Sequence, residues 1–219
     1  MTAFPRLTRS LVAGSLALGL VAAPAWAADA AAPVQAYAQQ HGDPAGSYTV
    51  DSDHSGAQFT IGHAGVALLT GVFSKVTGSY TFDPKDPKAS KADITIPVDS
   101  IDTFLPARNT DLLAAPFFDA KAHPDMHFVS TSYVPRGRNG GLLHGNLTLR
   151  GVTQPVTFRV HLVGAGNVAY LPKPWGGYLT GFVATTTIDR TAFGMTAYAA
   201  GIGHEVKVRV EIEGVRNPS

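Results

Sequence analysis

Glu205-Val206-Lys207-Val208-Arg209-Val210-Glu211-Ile212-Glu213 alternates charged and apolar residues without interruption. A period of two places Val206, Val208, Val210 and Ile212 on one face of a β-strand and every charge on the other. Residues 156–162 repeat the pattern upstream, with Thr157, Arg159 and His161 as the polar set. Similar runs at 48–51, 58–61, 71–82, 92–98, 126–134, 142–149 and 178–188 bring the candidate strands to nine, neighbours being free to merge. Turn chemistry separates several of them: Asp83-Pro84-Lys85-Asp86-Pro87, Arg138-Asn139-Gly140-Gly141 and Gly164-Ala165-Gly166-Asn167. Two short stretches read as helical, 63–69 and 106–114, the second ending ahead of Pro116.

Strands that are apolar on one side must hide that side and manage their edges. A sandwich achieves the first and a closed barrel achieves both. Eight strands make a barrel just wide enough to fill with side chains or to hold one small ligand. Periodicity cannot separate the filled form from the hollow one, and function turns on that difference.

The opening of the chain has a different character. Arg6 and Arg9 precede an apolar run from Leu11 to Ala23 and then Ala25-Trp26-Ala27, the layout of a secretory signal peptide over 1–27. The run is shorter than the roughly 20 residues a membrane-spanning helix needs. Without a twin arginine the general secretory route is the expected one, and the periplasm the expected destination. Residues 28–46, rich in Ala, Gln and Pro and lacking periodicity, read as a flexible leader, with one domain over 47–216.

Composition narrows the function classes. The chain has no cysteine, which excludes disulfides and a thioether-linked lipid anchor, so stability must come from a hydrophobic core. Basic and acidic residues number 17 and 16 with no basic cluster, so nucleic-acid binding is not expected. Charged residues make up only 15%, with 23 Gly and 15 Pro, a balance that suits many strands and turns.

Longer motifs are more specific. Tyr48-x-Val50-Asp51-x-x-His54-Ser55, Phe59-x-Ile61-x-His63 and Gly71-x-Phe73 open a series that continues through Ser100-Ile101-Asp102-Thr103, Phe117-Phe118-Asp119 and Pro124-x-Met126-x-Phe128. It is densest at Gly145-Asn146-Leu147-Thr148-Leu149-Arg150-Gly151-Val152-Thr153-Gln154-Pro155-Val156. It ends with Ile188-x-Arg190-x-x-Phe193-Gly194-Met195 and Gly203-x-Glu205-Val206. In this order the motifs resemble the YceI-like family of periplasmic, lipocalin-like proteins. The resemblance implies an all-β fold, an eight-stranded antiparallel barrel with one or two short helices. It also implies a channel holding a lipid-like molecule, a polyisoprenoid or isoprenoid quinone, and no other cofactor. One departure stands out. Where the family usually shows Arg-Asp-x-His-Leu, this chain has Arg108-Asn109-Thr110-Asp111-Leu112, so head-group preference is expected to differ if the missing His contacts the ligand.

An apolar tail needs little chemistry to hold it. At about 25 cal/mol per Å², several hundred Å² of buried tail gives on the order of 10 kcal/mol before the costs of association. Strand phase and apolar character nominate Phe59, Ile61, Phe73, Ile96, Phe128 and Leu147 as wall residues, with Leu149, Phe158, Val160 and Phe182 on later strands. Phe117 and Met195 join them from outside the regular runs. Each of these also has a plain reading as core packing. Arg108 and Asp111 are candidates for a polar head group on a lid helix, or for a structural pair; Arg190 reads as a buried structural arginine or a ligand contact. His123 and His127 have the spacing of helical metal ligands, but Pro124 opposes a helix there, and no compact set of three ligands appears. Asp53-His54-Ser55, read as neighbouring strand residues, cannot form a relay because successive side chains point to opposite faces.

These observations favour a binding protein over an enzyme, with a lipid-like partner, transient membrane contact and a homodimer that covers the barrel mouth as reasonable expectations. The rivals are a lipid-modifying enzyme using the same pocket, which requires polar groups converging on one atom, and a solid barrel acting through partner contacts, which requires that there be no internal void.

Overall fold

The computed structural model of the chain describes residues 42–168, 170–173 and 176–218. The expected signal peptide and leader residues 28–41 lie outside the described residues. Eleven strands follow in order: β1 (Gly46–Val50), β2 (Gly56–His63), β3 (Ala67–Phe73), β4 (Thr77–Phe82), β5 (Lys91–Pro97), β6 (Ile101–Asp102), β7 (Asp125–Pro135), β8 (Gly140–Leu149), β9 (Val152–Asn167), β10 (Tyr178–Asp189) and β11 (Ile202–Arg216). A single α-helix among the described residues, α1 (Pro106–Leu113), sits between β6 and β7. No helix of the described residues is long and apolar enough to cross a membrane.

All pairings are antiparallel, and the sheet closes on itself in the order β1-β4-β5-β7-β8-β9-β10-β11, with β11 returning to β1. The ring has eight staves because three of them are interrupted. β11 pairs through Gly214–Arg216 with β1 and through Ile202–Glu211 with β2, so β1 and β2 form one bent stave. In the same way β4 and β3 pair with the successive segments β5 and β6. The breaks are packed rather than open: Val76 and Val98, at two of them, are essentially fully buried. The fold is therefore the closed eight-stranded antiparallel barrel expected, and the nine candidate strands merge and lengthen into it.

Two local expectations are corrected. Residues 63–69 are not helical: β2 and β3 form a hairpin there, with Ala67 opposite His63 and Leu69 opposite Ile61. The run Ala64-Gly65-Val66-Ala67-Leu68-Leu69 has no polar alternation, so local sequence could not signal a strand, and cross-strand pairing overrides the helical propensity. Gly164-Ala165-Gly166-Asn167 is not a turn. β9 runs through it, paired Gly164 to Gly181 and Asn167 to Tyr178.

Because strands alternate in direction, the connections fall into two sets. Those at 64–66, 103–124, 150–151 and 190–201 share one end with α1. The termini and the connections at 83–90 and 136–139 share the other. Aromatic rings fill the terminal end. Tyr48 stacks on Tyr80 at 5.1 Å, Tyr80 meets Phe182 edge-on at 5.6 Å, and Phe82 meets Phe182 at 5.1 Å. The Tyr80 hydroxyl is paired with Thr180 Oγ1 at 2.5 Å, and burial pushes its phenol up from the ordinary tyrosine range. Residues 42–46, assigned by composition to the leader, are held at this end. Asp43 pairs with Lys85 at 2.5 Å, its carbonyl accepts from Arg216, and the Pro44 carbonyl accepts from the Tyr48 hydroxyl at 2.7 Å.

Interior aromatics lie over glycines on adjacent strands. A methyl group at Gly71 would sit 2.4 Å from the Phe59 ring, and one at Gly145 would sit 2.4 Å from Phe128. Glycine at these places lets large rings lie flat along the inner wall rather than project across the barrel.

Candidate functional site

The alternation of β11 decides one wall. Val206, Val208, Val210 and Ile212 face a cavity of about 650 Å³ inside the barrel, while Glu205, Lys207, Arg209 and Glu211 are exposed outside. β9 contributes Phe158 and Val160, and β10 contributes Phe182, Ala184 and Ile188. Leu147 and Leu149 come from β8, Met126 and Phe128 from β7, Ile94 and Ile96 from β5, Phe59 and Ile61 from β2, and Phe73 from β3. All eight staves are represented, and Tyr80 and Phe82 of β4 continue the wall beyond Phe73 on the same stave. This volume is within the range of small-molecule sites, and the barrel is hollow.

Phe117 and Met195, from the two long connections at the α1 end, also line the cavity. So do Arg108 and Asp111. Every residue nominated from the sequence therefore lies on the cavity wall, and the structure brings them together in one space. Several double as core: Phe73, Phe128, Leu149, Phe158 and Met195 are buried and packed against neighbouring side chains.

Other wall residues escaped nomination. The β11 set had the right phase and was visible in the alternation. Tyr133 was not visible, because a register shift between Ser130 and Ser132 moves β7 from even to odd residues facing inward. Tyr198 lies in a connection without periodicity, and only its stacking on Phe117 at 5.9 Å locates it.

The polar side chains near the wall are largely engaged. Arg108 folds back on its own turn, donating from Nε to Thr103 Oγ1 at 2.9 Å and from its guanidinium to the Thr103 carbonyl. Asn109 Oδ1 accepts from the Thr103 amide and hydroxyl, and its amide donates to Asp102 Oδ1 at 3.2 Å. Asparagine at 109 is thus structural: a second carboxylate there would face Asp102. Asp111 is exposed at the cavity rim, so of the two departures from the family pattern only this one borders the space. Arg190 is 3% exposed and donates to the carbonyls of Gly203 at 2.8 Å, Ile202 at 3.0 Å and Met195. Those bonds make it a structural arginine, clamping the turn after β10 to the start of β11.

Five of the eight exposed lining residues are at the α1 end, His63, Asp111, Ala114, Pro116 and Tyr198, while Gln58 and Thr70 lie along β2 and β3 and Lys91 begins β5. The opposite end carries the Tyr48, Tyr80 and Phe182 cluster. The mouth therefore opens beside α1.

The histidine readings resolve individually. His127 lies on a strand with Nε2 2.6 Å from Asp93 Oδ1, and His123 lies in the preceding loop against Gly151. Asp53-His54-Ser55 is a turn between β1 and β2 rather than strand, which corrects the geometry but leaves no relay. The Ser55 hydroxyl accepts from the Glu213 amide at 3.0 Å, and His54 Nδ1 is 2.9 Å from Asp51 Oδ2. Among the described residues Asp51, His54 and Glu213 bring ligand-type atoms within 4.8 Å of one another. The Asp51 hydrogen bond raises the His54 pKa above 6.5, and burial raises that of Glu213. A raised native pKa means that the protonated imidazole stabilises the fold. The contribution is complete below pH 6.5 and is lost as pH climbs through the higher native value. His54 is half exposed, so solvent screening keeps the effect small. An NMR titration should place the His54 midpoint above 6.5, and Asp51→Asn should bring it back down; an unshifted wild-type midpoint would contradict the pairing.

Comparisons with known proteins agree with this architecture. A family model described as the YceI-like domain matches residues 48–214. A UPF0312 protein of Pseudomonas paraeruginosa is 36% identical over 174 residues, covering 78% of this chain and 88% of the relative. One from Yersinia enterocolitica is 37% identical over the same shares. The crystal structure of Burkholderia cenocepacia BcnA superposes with a TM-score of 0.65 at 25% identity, over 75% of this chain and 98% of that one. A polyisoprenoid binding domain from Saccharophagus degradans, implicated in plant cell wall breakdown, has the same fold at 15% identity. Its TM-score is 0.56, over 78% of this chain and 98% of that domain.

Proposed function

The chain belongs to the YceI-like family, and we propose that its barrel takes up a long-chain amphiphile, a polyisoprenoid or isoprenoid quinone, and shields it from water in the periplasm. The observation that carries this reading is the 650 Å³ cavity, walled by apolar side chains from every stave, with most of its exposed lining residues at the α1 end. The Saccharophagus degradans domain of the same fold is a polyisoprenoid binding domain, which lends this ligand class support. Export rests on the charged, apolar and small-residue pattern of residues 1–27.

Binding without turnover fits the polar groups at the wall. An enzyme acting on the tail or head would aim several polar atoms at one point. Here Arg108 and Arg190 are turned to backbone carbonyls and the Tyr80 hydroxyl is paired with Thr180, leaving an apolar container. The head group would rest at the mouth, where Asp111 and the exposed His63 are the polar features.

Mass spectrometry of lipid extracted from protein purified from the periplasm without detergent tests this. A stoichiometric isoprenoid or quinone is expected. A blank extract, with no uptake of added polyprenol, would refute the carrier reading.

A further inference from the structure

We infer that the α1 end of the barrel is a bilayer-docking rim, through which cargo passes between membrane hydrocarbon and the cavity; the inference rests on the carrier reading above. Four large apolar side chains project into solvent there: Val66 is 87% exposed, Leu68 71%, Phe104 74% and Tyr198 72%. They come from the β2–β3 hairpin, which carries Val66 in its turn and Leu68 at the start of β3, and from the 103–124 and 190–201 connections, which the fold joins at the mouth. The Ala64 amide donates to the Gly201 carbonyl at 2.6 Å, and Tyr198 stacks on Phe117.

The backbone holds these side chains outward. Phe104 and Tyr198 have φ of 63° and 52°, a region that bulky residues rarely adopt. The Phe104 amide is fixed there by Asp102 Oδ1 at 2.8 Å. Strained backbone that displays an aromatic ring to water points to an apolar counterpart.

Charge identifies that counterpart. The segments that carry these four side chains, residues 64–74, 103–107 and 191–203, contain no Asp, Glu, Lys or Arg, and the exposed charge on the mouth lining is Asp111 of α1, outside them. Insertion into hydrocarbon requires such charge-free tips, whereas a protein partner would favour a polar rim. The patch is also continuous with the cavity lining through Tyr198 and Phe117, so a lipid tail could slide inward without crossing water. Val66, Leu68 and Phe104 lie outside the cavity, which lets docking and binding be tested apart.

The test uses the mature chain, vesicles of phosphatidylethanolamine and phosphatidylglycerol, and the double variant Leu68→Ser/Phe104→Ser. Both positions are exposed, and circular dichroism checks that the fold is kept. Wild type is expected to co-float with vesicles with little dependence on salt, and the variant's affinity to fall by about a hundredfold. Geranylgeraniol delivered by dilution from ethanol should enter both proteins equally, while its extraction from vesicles should fail only in the variant. Equal flotation of the two proteins would overturn docking, as would a wild type that takes up geranylgeraniol but does not float. A dimer seen by light scattering and lost in the variant would assign the rim to a second copy instead, and overturn the bilayer. Flotation without any geranylgeraniol uptake would overturn the carrier reading, and with it the loading role of the rim.

Discussion

Replacing Arg190 by Met is expected to lower stability by about 3 kcal/mol or more, the largest effect of any single side chain outside the apolar core. The guanidinium is buried, and burial pushes its pKa down, yet arginine stays charged and keeps its donors. Removing it takes the side-chain donor from the carbonyls of Gly203, Ile202 and Met195, which lie beneath the guanidinium group of a residue only 3% exposed. Each unsatisfied buried group costs about 1–3 kcal/mol. For a domain of this size 1 kcal/mol corresponds to roughly 2–4 °C, so the melting temperature should fall by about 6–12 °C. Lysine is not an adequate substitute, because one ammonium cannot meet carbonyls held in three directions by a planar fork. Thermal unfolding followed by circular dichroism measures this directly, and an unchanged midpoint would show that the clamp contributes nothing.

Ala184→Trp should separate ligand binding from stability. Ala184 sits on β10 between Val160 of β9 and Val210 of β11, and its side chain faces the cavity. An indole there enters empty space rather than a packed core, so the usual overpacking cost of about 1–3 kcal/mol should be largely avoided. The same indole occupies volume and apolar surface that the cargo would use. Uptake of a polyprenol should weaken by roughly a hundredfold, equivalent to the loss of on the order of 100 Å² of apolar contact. Thr187→Trp, on the outer face of the same strand, is the control and should bind as wild type does. Equal uptake by the two variants would place the ligand somewhere other than the barrel interior.

Both predictions depend on side-chain direction, and that was legible from residue order wherever a strand kept strict phase. The β11 alternation assigned Val206 through Ile212 to one face, and the cavity lies on that face. Phe158 and Val160 on β9 follow the same logic. Phase failed where the backbone slips: the irregularity between Ser130 and Ser132 turns Tyr133 inward. It failed also where composition misleads. The Gly-rich residues 164–167 look like a turn but pair with β10, since a glycine opposite a glycine still completes the ladder. The 63–69 segment looks helical because its apolar residues do not alternate, and they do not alternate because Val66 and Leu68 face solvent at the rim.

Local order along the chain was enough to establish an all-β domain, the positions of most strands, which side of each is apolar, and, through the longer motifs, the family. It could not say whether the interior is filled or empty. That depends on how eight staves tilt and stagger around one axis, and on which rings lie flat over glycines such as Gly71 and Gly145. These are sums of volume across the barrel, between residues far apart in sequence, and no local period reports them. The place of the mouth was hidden for the same reason: only closure of β11 onto β1 and β2 sets α1, the β2–β3 hairpin and the 190–201 connection around one opening.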